Sequence, residues 1–214
     1  MIYLISDCHG GENTAGIERY LQNSAESDLL IILGDVGLNF GSSEKNRAFT
    51  KWFLSLDRSI AFIDGNHENH AFLSSFPDDI WCGGEVHRLS DRIVHLKRGN
   101  IYTIGDKTFF VMGGCKSSEK WKEMGLWYEG EEPTPEELST AYENLNKFDN
   151  KVDYVLTHKY ECQKSESEAL TLEGLMEYID KNIAFGHWYS GHWHRTEFID
   201  DSHTVAYDEP IKIL

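Results

Sequence analysis

What this sequence has little of narrows it first. No stretch of its 214 residues is long and apolar enough to span a bilayer, which predicts a soluble chain with no membrane partner. Cysteine is sparse, and Cys8, Cys82, Cys115 and Cys162 lie far apart with no C-x-x-C pair. That spacing fits neither a disulfide-dense secreted scaffold nor a zinc finger, and it predicts reduced thiols in a cytoplasm. Positive charge is also short: 20 Lys and Arg against 36 Asp and Glu give a formal net charge of −16. Non-specific attraction to nucleic acid or anionic lipid needs a basic surface, so neither is expected. No internal repeat, low-complexity tract or linker divides the chain, and its length predicts one domain, 1–214, with a substantial core.

The opening run Met1–Ser6 is apolar but short, has no basic leader and leads straight into acidic and imidazole residues. It reads as a strand, not a signal peptide. Two more apolar runs follow, Leu29–Leu33 and Ser59–Ile63, separated by helical stretches near Ile17–Gln22 and Arg47–Leu56. Near-continuous apolar runs alternating with helices predict parallel strands covered on both faces. Each run ends in polar residues, and in open α/β sheets ligands bind beyond the carboxyl ends of the strands.

The second half has a different pattern. Ile93–Leu96, Ile101–Ile104 and Thr108–Met112, separated by Arg98-Gly99-Asn100 and Gly105-Asp106-Lys107, read as antiparallel hairpin strands. A long aromatic and charged loop, Gly113–Pro135, precedes a helix over Pro135–Phe148 with Thr134 as N-cap. Val152–Leu156 is another buried strand, Leu170–Ile179 a helix, and Glu161–Glu168 a solvated loop or helix start.

The polar ends form an ordered series: Asp7-x-His9, Gly34-Asp35, Gly65-Asn66-His67-Glu68, His158, and Gly191-His192-x-His194. Singly, such clusters occur in many proteins as hydrogen-bonded surface or core residues. In this order, each after a strand, they are specific. Carboxylate, imidazole and amide donors together suit a divalent metal such as Mn²⁺, Fe²⁺ or Zn²⁺.

The series resembles the five-block pattern of the calcineurin-like metallophosphoesterases and spans nearly the whole chain. The resemblance implies an α/β fold, a four-layer α/β/β/α sandwich of two mixed sheets. It also implies two divalent ions per chain, Mn²⁺ foremost with Fe²⁺, Zn²⁺ or Ni²⁺ as alternatives. One ion would take Asp7, His9, Asp35 and His194, and the other Asp35, Asn66, His158 and His192. A shared carboxylate at Asp35 would hold the ions roughly 3.5–4 Å apart, with a bridging hydroxide as nucleophile. About two net positive charges would remain to draw an anionic ester into an acidic protein. His67 would be the general acid, facing the ester oxygen.

Other residues read more plainly. His187 predicts a supporting or packing role, and His70, His87, His95 and His203 surface or core positions. Trp188, Tyr189 and Trp193 are expected around the metal loops, and Lys116 could grip phosphate. Serine/threonine phosphatases of the superfamily continue the second block as G-D-x-x-D-R-G, whereas this chain has Gly34-Asp35-Val36-Gly37-Leu38-Asn39-Phe40. The missing aspartate and arginine disfavour a phosphoprotein phosphatase. The layout resembles small bacterial or phage members acting on varied monoesters and diesters, nucleotide-derived ones included. A non-catalytic scaffold of the same fold is the alternative of another class.

Overall fold

In the computed structural model, described for residues 1–160 and 170–214, the chain forms two mixed β-sheets with helices on both outer faces. The Glu161–Glu168 stretch lies outside the described residues. The first half runs β1 (Ile2–Ile5), α1 (Ala15–Asn23), β2 (Leu29–Leu33), α2 (Glu44–Leu54), β3 (Ser59–Ile63), α3 (His70–Leu73), β4 (Asp78–Trp81), β5 (Gly84–Arg88) and β6 (Ile93–Leu96). There follow β7 (Ile101–Ile104), β8 (Lys107–Met112), α4 (Glu119–Glu123), α5 (Pro135–Lys147), β9 (Lys151–Thr157), α6 (Leu172–Asn182), β10 (Ala184–Ser190), β11 (Glu197–Phe198), β12 (His203–Val205) and β13 (Ile211–Lys212).

The first sheet has the order β13-β1-β2-β3-β6-β5-β4, with β1, β2, β3 and β6 parallel. The second has the order β11-β12-β10-β9-β8-β7, with β8, β9, β10 and β12 parallel. Side chains alternate along a strand, and β2 shows what that does here. Leu29, Ile31 and Leu33 enter a core shared with Phe109, Val111 and Leu156 of the second sheet. Leu30 and Ile32 enter the helix-side core with Ile17, Tyr20, Phe49 and Phe53. A third core lies under α5 and α6, around Leu138, Leu145, Leu175 and Ile179. Three apolar layers between four structural layers are the expected α/β/β/α sandwich.

Helix starts follow their local chemistry. Thr134 and Glu137 form a reciprocal capping box with Pro135 at the first helical position. Ser43 accepts the Asn46 N–H at 3.1 Å and starts α2 three residues before the sequence pattern suggests.

One expectation fails, and one pair of strands was not foreseen. The Ile93–Leu96 strand is no partner of Ile101–Ile104: β6 stays in the first sheet between β3 and β5, while β7 opens the second as a hairpin with β8. Lys97–Asn100 is thus a crossover between sheets. Gly99 permits it, having φ +74° and so little room that a Cβ would lie 2.8 Å from the Glu137 carbonyl. The edge strand β4 and its neighbour β5 escape notice in the sequence: Asp78, Asp79 and Ile80 are all exposed and lack apolar alternation, and β5 buries only Gly84 and Val86.

Candidate metal centre and active site

The residues of all five polar blocks meet at the carboxyl ends of β1, β2, β3, β9 and β10, so both sheets contribute. The turns that bring them there are tight. Among the described residues nine non-glycine positions have positive φ, and five of them are Asp7, His9, Asp35, His192 and His194. Left-handed backbone costs of order 1–3 kcal/mol per residue, a strain typically held at functional sites by surrounding structure. Glycines supply the remaining clearance. A Cβ on Gly65 would stand 2.1 Å from Asp35 Oδ1, and one on Gly34 would stand 2.3 Å from His158 Nδ1.

Two groups of donor atoms result. In the first, Asp7 Oδ1 lies 3.3 Å from His194 Nε2 and 3.6 Å from His9 Nε2, and the two imidazole nitrogens are 2.8 Å apart. In the second, His158 Nε2 lies 3.1 Å from Asn66 Oδ1 and 3.3 Å from His192 Nδ1. Asp35 faces both, with Oδ2 3.6 Å from His9 Nε2 and Oδ1 3.5 Å from His158 Nε2.

The surrounding bonds orient these donors. His158 Nδ1 lies 2.8 Å from the Leu33 carbonyl and donates to it, which turns Nε2 toward the group. Asn66 donates Nδ2–H to Ser117 Oγ at 3.0 Å, leaving its Oδ1 for the histidine. The His192 N–H donates to Asp7 Oδ2 at 2.9 Å and the His67 N–H to Asp35 Oδ1 at 2.7 Å. Ser6 also holds Asp7 Oδ2, and Tyr207 stacks on His194 with ring centres 5.6 Å apart. Glu68 is fully buried and accepts the Val36 and Gly37 N–H groups at 2.7 and 3.1 Å, clamping the chain just after Asp35.

Charge is arranged accordingly. Burial alone would raise Asp7 and Asp35, but His194 and His9 hold Asp7 well below the ordinary range, and His158 holds Asp35 at about 2. Burial would lower His158, yet the Asp35 carboxylate raises it to about 9. His194 is raised by its bond to Asp7, whereas burial and the His158 charge press His192 down to about 4. Protons on imidazole therefore offset buried carboxylates where cations would otherwise do so.

These residues fit divalent metal. Asp7 Oδ1 is buried and meets only the His194 and His9 nitrogens, at 3.3 and 3.6 Å and without a well-aligned hydrogen bond among the described residues, a position that a cation between the three donors would satisfy. Neutral imidazole, carboxylate and amide oxygen are donors that borderline metals accept, and Asp35 offers one oxygen to each group.

The groups open on a cleft of about 860 Å³. His67 stands in it between Phe40 and Trp121, with ring centres at 5.5 and 4.9 Å, and burial lowers its pKa while Asp35 opposes. Lys116, Lys159 and Ser118 also line it, so the Gly113–Pro135 loop, which contains the short α4, forms one wall.

The aromatic residues expected around the metal loops need one correction. Trp188 backs the His158 loop from the core side, its ring centre 5.0 Å from that of Tyr160. It lies in the core beneath α5 and α6, its Nε1–H on Thr157 Oγ1 at 2.8 Å. Tyr189 instead turns toward Tyr154 and His187. Trp193 does flank His192, at 5.3 Å between ring centres. His187 packs as expected, its Nε2 2.9 Å from Thr204 Oγ1. Sequence reasoning missed Cys115, whose Sγ lies 3.1 Å from Asn66 Oδ1. The signal was available, because Gly113-Gly114-Cys115 follows the apolar run of β8 just as the other blocks follow theirs.

A family model described as calcineurin-like phosphoesterase matches residues 1–196. Among solved structures, the crystal structure of TT1561 of Thermus thermophilus is 13% identical, with a TM-score of 0.49, covering 96% of this chain and 87% of that one. No curated protein matches the chain.

Proposed function

The chain belongs to the calcineurin-like phosphoesterase family, and from that premise we propose that it hydrolyses small phosphomonoesters or exposed phosphodiesters at a two-metal centre. The observation that carries this reading is Asp35, a buried carboxylate with one oxygen toward each group of donors. Asp7, His9, Asp35 and His194 would hold one divalent ion, and Asp35, Asn66, His158 and His192 the other. Bound there, the ions would supply Lewis acidity toward the phosphoryl oxygens and acidify a water at neutral pH.

The chain's own residues do the rest. Asp35 and Asp7 fix negative charge where the cations must sit, and the bonds from His158 to Leu33 and from Asn66 to Ser117 keep the donor atoms aimed. Lys116, at the cleft wall, is placed to meet phosphate oxygens. His67 delivers a proton to the leaving oxygen. Its lowered pKa makes the proton easy to give, and an incoming phosphate anion favours the protonated ring. Phe40 and Trp121 shield it from water. We take residues 1–214 as one catalytic unit, since the site draws ligands from both sheets.

A phosphoprotein preference has less support. Leu38, which stands where the protein phosphatases carry an aspartate, is wholly buried in the helix-side core. Among the described residues no arginine lines the cleft. Metal analysis combined with a panel of monoesters, diesters, nucleotides and phosphopeptides tests the proposal. We expect two divalent ions per chain and metal-dependent turnover of small esters. A phosphopeptide outperforming every small ester would overturn the substrate class, and turnover untouched by thorough chelation would overturn the mechanism.

A further inference from the structure

Cys115 stands among the donors of the second group. Its Sγ lies 3.1 Å from Asn66 Oδ1 and 3.7 Å from His192 Nδ1, and that nitrogen lies 3.3 Å from His158 Nε2. Cys115, His158 and His192 form a cluster whose ligand atoms all lie within 4.8 Å of one another. The residue is only 1% exposed. It packs in the core beneath α5 and α6 as many buried cysteines do, but its thiol donates to the Asn66 amide oxygen and faces the His192 ring.

The backbone is built to bring it there. Gly113 and Gly114 follow β8, and a Cβ on Gly113 would fall 2.4 Å from Asp64 Oδ1. Gly114 has φ +80°, and its N–H donates to the Asp64 carbonyl at 2.9 Å. The residue before Gly65-Asn66 thus fixes the turn that presents the thiol to Asn66. The other two described cysteines belong to no such group: Cys8 lies in the core with Ile5 and Ile17, and Cys82 lies beside the core between the sheets.

We propose that Cys115 is a sulfur ligand of the ion held by Asp35, Asn66, His158 and His192. The proposal rests on the two-metal reading above and extends it. On coordination the thiol proton leaves for solvent and the thiolate bonds the cation. Sulfur among nitrogen and oxygen donors makes this position softer than its neighbour, which has none. The second position then selects a borderline-soft cation, Zn²⁺, Fe²⁺ or Co²⁺, over Mn²⁺ or Mg²⁺. The two positions are therefore chemically unequal, and a mixed-metal centre follows.

Cobalt titration of the metal-free full chain, followed by absorption, tests this. Visible ligand-field bands report cobalt binding whatever the donors, and a near-ultraviolet thiolate-to-cobalt charge-transfer band appears only with sulfur bound. We expect both in the native protein and in Cys82→Ser. In Cys115→Ser we expect complete loss of the charge-transfer band with the visible bands kept. Visible bands without a charge-transfer band in the native protein would overturn the sulfur ligand and leave the two-metal reading standing. The same band surviving in Cys115→Ser would do likewise, and failure to bind cobalt at all would sink both. If Cys115→Ser does not fold, X-ray absorption on the native cobalt protein decides: a sulfur scatterer supports the ligand, and a shell of nitrogen and oxygen alone rejects it.

Discussion

Arg98 closes on Asp64 directly beneath the Gly65-Asn66-His67 turn, its Nε 2.8 Å from Oδ2, with both side chains almost wholly buried. Arg98 also donates to the Gly130 carbonyl at 2.8 Å and reaches Glu137 at 3.3 Å. One guanidinium thus joins the end of β3, the crossover between sheets and the far end of the loop that walls the cleft. Burial would raise Asp64, but Arg98 beside it holds the carboxyl well below the ordinary range.

Removing one partner of a buried pair strands the other charge. Arg98→Met should therefore destabilise the chain by about 3–5 kcal/mol in denaturant unfolding. Arg98→Met with Asp64→Asn should recover much of that loss, because no unpaired charge remains. If the double variant is no more stable than the single, the pair is not the source of the effect.

Asp35 joins the two groups of donors, so losing its charge should weaken both together. Asp35→Asn is expected to abolish turnover and to lower bound metal from two ions toward one or none. Elemental analysis after gel filtration checks the stoichiometry. Unchanged metal content with activity retained would remove Asp35 from its shared role.

His158 carries the pH dependence. With its pKa raised to about 9, Nε2 must lose a proton before it can hold a cation. The His158 proton should by itself add about tenfold in metal affinity per pH unit below about 9 and nothing above it. The metal-free chain should behave oppositely. A histidine raised above its unfolded value of 6.5 contributes stability fully present below that pH and lost as pH climbs through about 9. Chelator competition and thermal unfolding across this range measure the two trends, and flat affinity would show that His158 is already neutral.

The cluster of polar residues was legible in the sequence because its chemistry and its place after apolar runs are both local signals, while the sharing of ligands between two ions came from the family resemblance. Asp7, Asp35 and Asn66 each terminate a run of the parallel sheet, and the ends of such strands converge. The strand partners were not legible to the same degree. Arg98-Gly99-Asn100 looks like a hairpin turn, and nothing local distinguishes a turn within a sheet from a crossover between sheets. The difference is made by Asp64, distant in sequence, which draws Arg98 inward. Cys115 was passed over although it follows the apolar run of β8, because a lone cysteine has no second ligand at a fixed spacing and its contacts with Asn66 and His192 are made only by the fold.

His67 offers the sharpest test, because proton donation helps only where the leaving oxygen needs a proton. An alkyl or ribosyl alkoxide is strongly basic and gains much, whereas p-nitrophenolate is stable as an anion and gains little. His67→Ala should therefore lower kcat for alkyl or ribosyl esters by roughly a hundred- to ten-thousand-fold, with far smaller loss for p-nitrophenyl esters. Metal content should stay at the native level, since the His67 ring contacts Phe40, Trp121 and His9 at the cleft and it is its backbone N–H that meets Asp35. If the ring instead grips the phosphoryl group, both substrate types hold the same group and should lose rate about equally. Equal losses would make His67 a phosphate binder, and lost metal would move it among the ligands.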